Sequence, residues 1–76
     1  MNVPILLGEI VEKDGMLCLQ THPNCWYPLG GNSSIADRFR EHFNEPAQSD
    51  IGRRVYSSGG QLYMESVEQA AERRNI

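Results

Sequence analysis

The sequence predicts a small α+β domain of order ββαββα, its two β-hairpins forming an antiparallel sheet with helices packed on one face. Three observations carry that reading. Asp14-Gly15 separates two apolar-rich runs, Gly59-Gly60 separates two more, and an apolar stripe at helical spacing lies between the hairpins. At 76 residues the chain reads as one domain, 1–76. A chain that short hides only about 60% of its unfolded surface, so the core is small and deep pockets are not expected.

The first hairpin comes from Pro4–Glu12 and Met16–Thr21. Asp-Gly between two such runs is a strong hairpin signal, because both turn residues must accept positive φ. A two-residue loop sets Glu12 opposite Leu17, Val11 opposite Cys18 and Ile10 opposite Leu19. Alternation then places Leu6, Ile10, Leu17 and Leu19 on the core face. Leu7, Val11, Met16 and Cys18 fall on the other face with Glu9 and Gln20, which leaves that face only partly covered.

In the second hairpin, RRVYSS and QLYMES flank Gly59-Gly60. Val55 should pair with Met64, Tyr56 with Tyr63 and Arg54 with Glu65. Val55, Leu62 and Met64 point inward; Arg54, Tyr56, Gln61, Tyr63 and Glu65 point outward. A four-residue loop would shift the register by two and leave both faces as they are.

The first helix is expected to start at Ser34 as N-cap, with Asp37 three residues on as a weak capping box. Ile35, Ala36, Phe39 and Phe43 form its stripe. Asn44 should end it, since Glu45 precedes Pro46 and is biased away from the α region. A second helix follows Ser66, which with Gln69 makes a good capping box, and its apolar edge is Val67, Ala70 and Ala71. At about nine residues it is marginal without docking.

Charge and termini narrow the function classes. A net charge of −3 argues against duplex nucleic acid and anionic membrane as partners. The opening MNVPILLGEIVEKDG has no basic start and only a short apolar run, so neither a signal peptide nor a membrane span is expected. A cytoplasmic protein with reduced Cys18 and Cys25 is the expectation. Six of the seven basic residues are arginine, which leans toward a bacterial or phage gene.

The stretch THPNCWYPLGGNSS, from Thr21 to Ser34, concentrates the reactive residue types. Cys18, His22, Cys25 and His42 suit zinc by type. Cys18 and His22 on one strand would however lie roughly 13 Å apart, too far to share an ion, so no metal or other cofactor is expected. Cys25 with His22 as base lacks an orienting third group and an oxyanion site, so no catalysis is expected. Gly30-Gly31 before a helix lacks the Gly-Lys-Ser/Thr ending of a phosphate loop.

Recognition fits better. The candidate partner-binding residues are Trp26 and Tyr27 in the first loop and Arg54, Tyr56 and Tyr63 on the second hairpin. Aromatics and arginine bring large contact area with a polar handle. The expected function is a small non-catalytic module that binds another protein, of the accessory or inhibitor kind. Single-stranded nucleic acid stacked on the same aromatics is the alternative, and a zinc-stabilised domain a weaker one. A bland role stands beside these: a Tyr56–Tyr63 cross-strand pair contributes about 0.2–1 kcal/mol to a sheet with no partner at all.

Overall fold

The computed structural model describes residues 3–74. Strands β1 (Ile5–Lys13), β2 (Met16–His22) and β3 (Cys25–Pro28) precede helix α1 (Ser34–Phe43). A single 3-10 turn (Gln48–Asp50), strands β4 (Arg54–Ser58) and β5 (Gln61–Met64), and helix α2 (Val67–Arg74) follow. The five strands form one antiparallel sheet in the order β3-β2-β1-β4-β5.

Both tight turns form as their sequences require. Asp14 and Gly15 have φ of 54° and 78°, and Gly59 and Gly60 have 59° and 82°. Two successive positive φ values give the turn whose twist matches the flanking strands. The registers follow: Ile10 faces Leu19, Val11 faces Cys18 and Glu12 faces Leu17. On the other hairpin Val55 faces Met64 and Tyr56 faces Tyr63.

The sheet has one strand more than the two hairpins supply. Cys25–Pro28, expected as loop, pairs with β2 so that Trp26 faces Gln20 and Tyr27 faces Leu19. The chain reverses at Pro23-Asn24, and a register shift between Gln20 and His22 absorbs Thr21. Such a strand is short and ends in proline, both suited to a sheet edge.

A second irregularity redirects the start of β1. Leu6 faces Tyr56 and Gly8 faces Val55, so Leu7 is an extra residue in the ladder. A bulge of this kind reverses the alternation beyond it. Leu7 therefore packs against the core, while Leu6, expected inward, is 49% exposed on the same face as Tyr56.

The core is Ile10, Leu19, Leu29, Phe39 and Val55, with Leu7, Ile35, Phe43 and Met64 against it. α1 covers it through Ala36 and Phe39, and the Phe39 and Phe43 rings meet at 5.0 Å. Its N-cap is Ser33, one residue earlier than expected, whose hydroxyl accepts from the Ala36 N–H. Asp37 is then left free to pair with Arg40 at 2.6 Å. Arg40 also donates to the Leu29 carbonyl, which ties the helix to the chain leaving β3. Asn44 closes the helix at φ 62°, its backbone N–H donating to the Arg40 carbonyl.

α2 begins with the expected reciprocal cap: Gln69 N–H donates to the Ser66 hydroxyl, and Ser66 N–H to the Gln69 side chain. Its anchor is Arg73. That guanidinium donates to Glu65 at 2.8 Å and to the Gly52 carbonyl at 2.7 Å.

Candidate functional site

Alternation along the strands assigns each candidate to a face. Tyr56 and Tyr63 are directly paired, and Leu6 sits on the other side of Tyr56, so Leu6, Tyr56 and Tyr63 form one cross-strand row. Tyr63 is 51% exposed and Tyr56 half-buried, on the face opposite Val55 and Phe39. Pro4, Tyr56, Tyr63, Met64, Glu65 and Gln69 line a shallow groove of about 410 Å³ at this row.

The neighbouring row crosses the whole sheet. Trp26 faces Gln20, Gln20 faces Glu9, Glu9 faces Arg54, and the Glu65 N–H donates to the Arg54 carbonyl. Its charges are linked. Glu9 lies 3.9 Å from Arg54 and 3.7 Å from Arg73, and Glu65 is bonded to Arg73 and accepts from the Arg54 N–H. The Arg73 hydrogen bond holds the Glu65 carboxyl below the usual glutamate range against the opposing effect of its burial, and Glu65 in turn holds Arg73 protonated. Arg54 is only loosely paired and keeps a third of its side chain exposed.

Arg53 serves the frame. It bonds Asp50 at 2.8 Å and the Glu65 carbonyl at 2.6 Å, so it braces the turn before β4.

Trp26 and Tyr27 do not act as one loop. They are successive strand residues and project to opposite faces. Trp26 shares the face of Tyr56 and carries the Lys13 ammonium 4.2 Å above its ring. That contact spans the Val11–Cys18 pair lying between them, and Cys18 beneath it is 2% exposed. Burial raises the Cys18 thiol pKa.

Tyr27 joins Cys25 and Thr21 on the other face. Hydrogen bonds from the Tyr27 and Thr21 side chains lower the Cys25 thiol pKa, and the same bond raises the Tyr27 phenol. His22 Nδ1 lies 3.2 Å from the Thr21 hydroxyl, so the imidazole meets threonine rather than the thiol. Among the described residues, no three His, Cys, Asp or Glu side chains gather as metal ligands. Cys18 and His22 do lie along one strand, as their spacing implies.

Three residues of this surface were not among the candidates read from the sequence: Leu6, expected on the core face, Glu9, expected on the outer face without a role, and Arg73. Gly8 inside an apolar strand was the available signal for the bulge that turns Leu6 outward. Nothing local marks Arg73, whose partners lie 8 or more residues away.

No protein-family model, curated protein or solved structure matches the chain.

Proposed function

We propose that the protein is a small non-catalytic binding module that docks on another protein molecule through the tyrosine face of its sheet. One observation carries the reading: Leu6, Tyr56 and Tyr63 stand side by side in an open row, with Arg54 in the next. An aromatic and aliphatic strip beside a guanidinium has the composition of an interface centre. Base stacking on single strands is less well supported, because Arg54 and Arg73 already face Glu9 and Glu65. The size and arginine bias suit a bacterial or phage accessory or inhibitor protein working in the cytoplasm.

The test compares Tyr56→Ala and Arg54→Ala with the wild type, immobilised, for retention of any protein molecule, an untagged copy of the chain included. Both variants should melt near the wild-type temperature and yet retain less partner. Arg54 contributes little to stability, because its pairing is long and solvent-screened. Full retention by both variants would refute the docking role.

A further inference from the structure

We infer that α2 is a strap: it lifts from the sheet while the sheet stays folded, and its opening regulates the docking face by uncovering Tyr56. The regulatory half of the inference rests on the docking reading above.

The strap is held at few points. α2 is eight residues long, and a helix that short does not persist in water without docking. Between Val67 and Arg73 only Ala70 is buried. Val67 is 53% exposed, and Glu68, Gln69 and Glu72 are exposed as well. Little apolar surface therefore leaves water when this helix docks.

Its fastening is polar and gathers at one residue of the last turn. Arg73 donates to the Glu65 carboxylate at 2.8 and 3.2 Å and to the Gly52 carbonyl at 2.7 Å, with Glu9 3.7 Å away. These groups keep other partners when Arg73 leaves. The Glu65 carboxylate accepts from the Arg54 N–H, the Glu65 carbonyl accepts from Arg53, and the Gly52 N–H donates to the Ile10 carbonyl. Lifting α2 therefore breaks no strand pairing. The reciprocal Ser66–Gln69 cap lies within the segment and does not tie it to the sheet. Segments fastened in this way open at free energies below that of global unfolding.

The strap overlies part of the candidate surface. Gln69 walls the groove that Tyr56, Tyr63 and Glu65 line, and the Tyr56 phenol lies within electrostatic reach of Arg73. Tyr56 is half-buried, whereas its cross-strand partner Tyr63 is 51% exposed. Lifting α2 removes Gln69 and Arg73 from the side of Tyr56.

Native-state hydrogen exchange separates a strap from a helix that melts with the core. The Ala71 and Glu72 amides report on α2; the Ile10 amide, bonded to the Arg53 carbonyl, reports on the sheet. In the wild type the α2 amides should exchange faster than Ile10. Leu62→Ala should speed Ile10 exchange by roughly thirtyfold or more and leave Ala71 and Glu72 unchanged, since the strap-open state keeps the Leu62 packing. Leu62→Val, a smaller loss, keeps the comparison if Leu62→Ala unfolds. Arg73→Met should speed all three amides about tenfold or more, because both openings break the Arg73 bonds. Laser photo-CIDNP with a flavin dye, which polarises only tyrosines the dye can touch, should show the Tyr56 signal rising relative to Tyr63 in Arg73→Met. A core variant that speeds α2 and Ile10 alike overturns the strap. A Tyr56 signal that Arg73→Met leaves unmoved overturns the regulatory half. Neither readout uses a partner, so the docking reading stands or falls separately, on retention by Tyr56→Ala and Arg54→Ala.

Discussion

The two cysteines show how far a residue's surroundings decide its chemistry. Cys18 sits beneath the Lys13–Trp26 contact with its thiol pKa raised by burial, while Cys25 is partly open and its thiolate is stabilised by Tyr27 and Thr21. Reactivity follows the thiolate fraction and access to it. In the native protein at neutral pH a thiol reagent should therefore label Cys25 quickly and Cys18 only upon unfolding. Tyr27→Phe removes the principal hydrogen bond to the thiolate, so it should shift the labelling-rate profile of Cys25 to higher pH. Equal labelling of the two thiols in the folded state would contradict this arrangement.

At the scale of an element, the bulge in β1 makes the candidate surface. Gly8 lies so close to β2 that a methyl group there would overlap the Gln20 carbonyl oxygen and press on Leu19. Backbone cannot yield as a flexible side chain does. Gly8→Ala should lower stability by about 1–3 kcal/mol, read from chemical denaturation. A neutral outcome would mean that the ladder re-registers, which would also turn Leu6 back inward. Glu65 fastens α2 to the sheet in a comparable way. Its carboxyl pKa is depressed in the folded state, so its contribution is present above the ordinary glutamate range and is lost as pH falls through the depressed value. Wild-type melting should therefore decline on acidification more than that of Glu65→Gln, whose two curves should converge at low pH. Parallel curves would show that the Glu65–Arg73 bond adds no stability.

Across the whole molecule, one sheet presents two unlike faces, one packed under α1 and one more open. Val55 and Leu62 lie on the α1 side, and Tyr56 and Tyr63 alternate with them on the other. Leu62 is 6% exposed, so Leu62→Ala should cost about 2–5 kcal/mol, in a single cooperative melting transition. Tyr63→Ala, cut from the open face, should cost less than about 1 kcal/mol, the scale of one cross-strand pair. If the order of the two were reversed in thermal melts, the assignment of faces would be wrong.

The α+β class, both tight turns, the registers of both hairpins and the α2 cap were legible in the sequence, because each depends on residues close together along the chain. Asp14-Gly15 and Gly59-Gly60 adopt the positive φ few other pairs accept, and alternation then assigns Val55 and Tyr56 to opposite faces. The tertiary structure decided the rest. Cys25–Pro28 became a strand because β2 offered a free edge, and no periodicity within four residues could announce that. Leu6 turned outward because pairing with β4 leaves Leu7 as an extra residue in the ladder, a register between segments rather than a property of either. Arg73 joined the candidate surface only when folding brought Glu9, Gly52 and Glu65 to one point. Short-range conformational preference is written in neighbouring residues, whereas a shared edge, a close backbone approach and a charge network exist only once distant segments meet.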